Sequence, residues 1–183
     1  QSSREDSQPL SVWVEPTLVP QDNPLAGVNG VNNAILVEGN PIGQVMFFGP
    51  GAGSGPTASA VVADILNIAG IQSMSEEKSH NLDPLLSAKS WRSCHVAKRK
   101  EITKKNYIRL IAEDTPGVIG HIGTIFGQQK ISIESIVQFD ASQDEAEIVV
   151  ITHKIKQGQL EEALTDIKKL PQIKRIAATM GCL

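Results

Sequence analysis

Residues 42–66, IGQVMFFGPGAGSGPTASAVVADIL, form the run with the most chemical potential in the chain. A short apolar strand, Val45 to Phe48, leads into a loop with glycine at Gly49, Gly51, Gly53 and Gly55, and the loop opens a helix. Glycines gather where the backbone takes positive φ or where a neighbour comes closer than a Cβ allows. Pro56 suits a first helical turn, where its missing N–H has no partner to lose. Thr57 and Ser59 can hydrogen-bond free N–H groups of that turn. Such a helix start aims donors and a partial positive charge forward, which favours phosphate or carboxylate. The spacing does not complete a nucleotide fingerprint. G-x-G-x-x-G needs glycine at Ser54, Pro56 or Ala58, and only the looser form ending in alanine, Gly53 to Ala58, fits. No lysine follows to make a G-x-x-x-x-G-K-[ST] loop. Tight strand–helix packing and contact with a ligand both remain open for these glycines.

A second candidate is Asp114-Thr115-Pro116-Gly117-Val118. A turn there presents the N–H groups of Gly117, Val118 and Ile119 at a helix start, an arrangement suited to a carboxylate. Gly117 and Gly120 permit close approach, and Asp114 or Glu113 offers a counter-charge for an α-ammonium. The competing reading is an ordinary cap, with Asp114 or Thr115 closing its own helix. His121 reads as solvent-facing.

Other chemistry is sparse. Residues 1–77 contain no lysine, the first being Lys78. Cys94-His95 with His80 lacks a second ligand pair at zinc spacing, so no metal is expected. Cys94 and Cys182 are the only cysteines and read as reduced thiols. A net charge of −3 gives no global attraction to nucleic acid or anionic membrane. Four phenylalanines, two tryptophans and one tyrosine do not make a base-stacking surface. No apolar run approaches the roughly 18–20 residues of a membrane span. The start, QSSREDSQPL, has neither methionine nor an apolar signal segment. These features point to a C-terminal fragment of a soluble, cytoplasmic protein.

Three zones must position these residues. Residues 1–69 hold a hairpin, Val31–Val37 and Gln44–Phe48 turned at Glu38-Gly39-Asn40-Pro41, and a helix from Thr57 to Ala69. So few elements make a marginal core, and the zone needs further chain to complete its domain. Residues 70–104 read as a polar linker, with Lys98-Arg99-Lys100 solvated and a short strand at Trp91–Val96. Residues 105–183 begin with a strand, Tyr107–Ala112. Val118, Ile119, Ile122, Ile125 and Phe126 then share one helical face. Ile131, Ile133, Val137 and Phe139 occupy odd positions of a strand ending by Asp140. A turn and a strand, Ala146–His153, follow. Leu160, Ala163, Leu164, Ile167 and Leu170 lie at helical spacing, Pro171 ends that helix, and Ile173–Thr179 is the last strand. The order βαββαβ is ferredoxin-like, giving an α/β (α+β) fold class overall.

The wording NPLAGVNGVNNAILVEGNPIGQVMFFGPGAGSGPTASAVVADIL resembles the last part of the catalytic region of homoserine dehydrogenases, over residues 12–69. Glu15 and Asn23 stand where many members carry histidine. The resemblance implies reduction of aspartate semialdehyde to homoserine with NAD or NADP, with the G-x-GAG loop beside the cofactor. Gly53 would be the contact, flanked by Gly51 and Ala52. It also implies that the dinucleotide fingerprint, the proton-donating lysine and the substrate carboxylates lie upstream of Gln1, leaving no catalytic residue in this stretch. YIRLIAEDTPGVIGHIGTIFGQQKISIESIVQ resembles the ACT domain, a small amino-acid-binding regulatory module, in the form found at the C-terminus of the same family. That resemblance implies an amino-acid effector, threonine first, at Asp114, Thr115, Gly117, Val118 and Ile119, and a homo-oligomer formed through ACT sheets. A free-standing ACT-type sensor or assembly module without catalysis is the alternative.

Overall fold

The computed structural model describes residues 9–75, 94–142 and 145–183. In chain order its elements are β1 (Thr17–Leu18), β2 (Asn32–Gly39), β3 (Gly43–Pro50), α1 (Ser54–Ser75), β4 (Thr103–Glu113), α2 (Val118–Gln128), β5 (Ile133–Ser142), β6 (Glu145–Thr152), β7 (Ile155–Lys156), α3 (Gln157–Ile167) and β8 (Ile173–Cys182). Contacts divide them into two units, with residues 9–20 grouped with 94–183 and the hairpin and α1 apart.

In the hairpin unit, β2 and β3 pair antiparallel without a register break, from Asn32↔Pro50 to Gly39↔Gly43. The turn contains a cis Asn40–Pro41 peptide and ends at Gly43, whose φ of +73° is left-handed. Relative to the expected strands, β2 begins one residue later and ends two later, and β3 extends one residue earlier and two later. The helix is longer than Thr57–Ala69, starting at Ser54 and continuing to Ser75. Val61, Val62, Ile65, Leu66 and Ile68 of α1 are all exposed. A helix with apolar residues around most of its circumference belongs inside a larger core. No helix among the described residues is long and apolar enough to cross a membrane.

In the other unit, a sheet runs in the order β1-β8-β4-β6-β5, with β7 also pairing with β4. Its antiparallel part, β8-β4-β6-β5, is the ferredoxin-like arrangement expected for βαββαβ. Even-numbered residues of β4 and β6 (Ile108, Leu110, Ala112, Ile148, Val150) pack against Val118, Ile122 and Phe126 of α2 and Leu160, Ala163 and Ile167 of α3. Strand alternation and helical periodicity thus converge on one buried layer. Beside it lies a polar cluster with its groups paired. Asn106 N–H donates to Thr152 Oγ1 (3.2 Å), Asn106 Nδ2 to the Lys104 carbonyl (3.0 Å), and Gln157 Nε2 to Asn106 Oδ1 (3.1 Å). Buried polar groups are tolerated when satisfied in this way.

Several expectations require correction. Val137 and Phe139 do not face the core but are 45% and 54% exposed. The β5–β6 register shifts between Ile133 and Ser135, so one extra residue enters β5 and the alternation flips. Ile136 therefore joins Ile131 and Ile133 at the core. Within residues 70–104, read as a linker, α1 continues to Ser75, Ile102 is 5% exposed, and β4 begins at Thr103. Lys98, Arg99 and Lys100 are exposed, as expected. Of the expected strand at Trp91–Val96, residues 91–93 lie outside the described residues, and Val96 forms one parallel bridge, to Leu10. Residues 9–20, read from sequence as part of the hairpin zone, supply β1, which pairs in parallel with β8 through Thr17↔Gly181 and Leu18↔Cys182.

Candidate functional site

The β4–α2 junction is built around Gly117. Its φ of +94° is left-handed, and nothing lies within 4 Å of where a Cβ would sit. Glycine is therefore required by the turn, and the space in front of it is open. Gly117 caps α2 without any side-chain hydrogen bond, so the ordinary cap by Asp114 or Thr115 is not formed. The first helical bond at this end runs from His121 N–H to the Gly117 carbonyl (3.0 Å). The N–H groups of Val118, Ile119 and Gly120 precede it and lie outside the helical ladder.

The expected loop residues divide by role. Asp114, Thr115, Gly117 and Ile119 are exposed, whereas Val118 is buried and can offer a ligand only its backbone. Asp114 Oδ1 accepts a hydrogen bond from Gln138 Nε2 on β5 at 2.9 Å. Thr115 N–H donates to the Glu113 carbonyl (2.9 Å), folding the chain tightly at the end of β4. A carboxylate on the side chain, three N–H groups at a helix start and an open approach are thus gathered within a few residues. That combination suits a zwitterion. Gln138 was not among the expected site residues, although it ends the ISIESIVQ segment. Its role depends on a cross-strand position that sequence spacing does not reveal.

The glycine loop of the hairpin unit shows a different division. A Cβ on Gly51 would overlap Asn33 Nδ2 of β2, and Gly51 N–H donates to the Val31 carbonyl (3.2 Å). Gly51 thus satisfies a close approach within its own unit. Gly53 has a φ of +121°, and a Cβ there would make only ordinary contact with Pro56 Cδ, at 3.5 Å. Thr57 N–H donates to the Gly53 carbonyl (3.1 Å), while Pro56 has no N–H to offer. The donors at this helix start are accordingly Ser54 and Gly55, both exposed like Ala52 and Gly53. Cys94 is exposed, and His80 lies outside the described residues.

Shifted ionisations lie elsewhere. The Glu134 carboxyl is held below its ordinary value by a hydrogen bond from Lys105, and Glu145 by one from Lys174. Burial pushes the Cys182 thiol up.

A ferredoxin-like βαββαβ unit whose first helix opens at a left-handed glycine, in a chain that also carries a hairpin, a glycine loop and an apolar helix, defines an α/β chain of two units. Comparison with known proteins makes this specific. Residues 3–66 match the homoserine dehydrogenase family, and residues 106–172 match the ACT domain. Homoserine dehydrogenase of Synechocystis is 48% identical over 98% of this chain, and that of Neisseria gonorrhoeae 34% identical over 94%. The chain spans 41% and 40% of their lengths. A crystal structure of a homoserine dehydrogenase from Thiobacillus denitrificans superposes with a TM-score of 0.84 at 28% identity, covering 94% of this chain and 39% of that one. The chain belongs with the homoserine dehydrogenases and corresponds to their C-terminal portion, with its ACT domain.

Proposed function

We propose that this chain forms the C-terminal part of an NAD- or NADP-dependent homoserine dehydrogenase of the cytoplasm, interconverting aspartate semialdehyde and homoserine, and that its ACT domain binds a regulatory amino acid. The observation that carries the regulatory half is the Gly117 junction, left-handed, uncapped and open, with Asp114 beside it. Threonine is the first candidate effector. Its carboxylate would meet the N–H groups of Val118, Ile119 and Gly120, and its ammonium the Asp114 carboxylate.

The dehydrogenase half rests on the match of residues 3–66. Gly53 and the N–H groups of Ser54 and Gly55 fit a dinucleotide, because they are exposed at a helix start that favours anionic groups. Gly51 fits less directly, since Asn33 occupies the space that its missing side chain leaves. When bound, the nicotinamide would supply the hydride chemistry. This chain's own residues would orient the cofactor, and none is assigned proton transfer. Self-association through the ACT sheet falls naturally to β5, whose outer edge pairs with no described strand, whereas the β8 edge carries β1.

The test is calorimetry of the 183-residue chain with the proteinogenic amino acids. Threonine should give heat, and Gly117→Val should remove it. Absence of heat from every amino acid would refute the effector reading.

A further inference from the structure

We propose that residues 10–18 are a docked strap by which the regulatory unit holds the polypeptide leading into the hairpin, and that occupation of the 114–119 loop tightens it. This rests on the effector reading above. The strap is fastened at three points. Leu10 N–H donates to the His95 carbonyl (2.8 Å), and Ala97 N–H donates to the Leu10 carbonyl (2.9 Å). Thr17 and Leu18 pair with Gly181 and Cys182, and Leu183 N–H donates to the Leu18 carbonyl (3.1 Å). Between these ends, Glu15 forms an ion pair with Lys104. Their side chains are 27% and 12% exposed, making this the least exposed ion pair among the described residues. The approach is close: a Cβ on Gly181 would meet Glu15 Oε1, the end of a flexible side chain.

The strap is not packed flat. Val12–Glu15 line a partly open cavity of about 290 Å³ together with Ala97, Ile102, Lys104 and Gln157. It is thus held at a few polar points beside free volume. One strand serves both the strap and the loop. Lys104 of β4 holds Glu15, Lys105 and Asn106 pair with Cys182 and Gly181, and Glu113 ends β4 beside Asp114. Between these regions the β4–β8 ladder shifts register at Arg109/Leu110 and again at Ile111/Ala112. Such irregularities are where a ladder can adjust locally. Beyond Pro20 the chain continues into the hairpin unit.

Amide hydrogen exchange on the 183-residue chain tests this, read at Leu10, Ala97 and Leu183, three of the N–H donors that fasten the strap. Lys104→Met should speed their exchange several-fold while core amides of β6 stay protected. Glu15→Gln, a change on the strap itself, should do the same and serves if Lys104→Met unfolds. Unchanged exchange at these amides in a folded variant would overturn the docking. Threonine should slow the three amides in the wild-type chain but not in Gly117→Val. Calorimetric heat from threonine with no change at these amides would overturn the coupling and leave the effector reading intact. Absence of heat would overturn both.

Discussion

Gln138 Nε2 donates to Asp114 Oδ1 across 2.9 Å, tying the loop after β4 to the middle of β5. The bond holds one carboxylate oxygen in place and, on the effector reading proposed above, leaves the other to meet the ammonium. An exposed hydrogen bond of this kind contributes about 1 kcal/mol. Gln138→Leu should therefore raise the threonine Kd about fivefold, while the melting temperature of the unliganded chain changes little. An unchanged Kd by calorimetry would remove Gln138 from the site.

Gly117 separates backbone strain from steric exclusion. A left-handed residue other than glycine costs roughly 1–2 kcal/mol, and no atom lies within 4 Å of the added Cβ. Gly117→Ala should lower stability by that amount in urea titration and keep the fold. A much larger loss would mean that the site is more crowded than the geometry indicates.

Much of the ACT architecture is legible in the sequence because both helices repeat at helical spacing and β4 and β6 alternate cleanly. Val137 and Phe139 were misread for a specific reason. A single extra residue near Glu134 reverses the face of everything after it, and no composition signal marks a bulge. Residues 9–20 lie within the homoserine dehydrogenase match, and their pairing with β8 is not legible in the sequence because β1 is two residues long and its partner lies at the far end of the chain. The open turn at Gly117 was legible from Pro-Gly before an apolar helix, but the Gln138 contact required the cross-strand register.

Glu134 and Glu145 make the acid limb of stability predictable in sign. Each carboxyl is held below its ordinary value of 4.5 in the folded chain by a lysine hydrogen bond. Groups depressed on folding contribute stability above their unfolded pKa and lose it as pH falls through the lowered folded value. Glu134→Gln should therefore narrow the difference in urea midpoint between neutral pH and pH well below 4.5. Salt should reduce the same difference, since both carboxylates are solvent-accessible. A midpoint difference identical to wild type at low salt would refute the contribution.

The 183-residue chain alone should give no turnover with homoserine and NAD or NADP. It spans 41% of its Synechocystis relative, and residues 1–77 contain no lysine to protonate an alkoxide. Turnover above buffer that disappears on substitution of a residue within the chain would contradict this.

The glycine loop gives the sharpest separation of packing from cofactor contact, tested in the complete dehydrogenase that contains this chain. Gly51→Ala places a methyl group on the Asn33 side chain, so its damage is to the hairpin's own packing. Asn33→Ala should rescue it, restoring both stability and the KM for the cofactor. Gly53→Val is different in kind. Its Cβ meets Pro56 only at ordinary contact, but the φ of +121° is one that branched residues resist, and the side chain would project from an exposed helix start. The KM for NAD(P) should rise, and no substitution at Asn33 should reverse that rise. If Asn33→Ala rescues Gly53→Val as well as Gly51→Ala, the whole loop is packing and the cofactor is held elsewhere. If Gly53→Val leaves the KM for cofactor and kcat unchanged, Gly53 makes no contact with the dinucleotide.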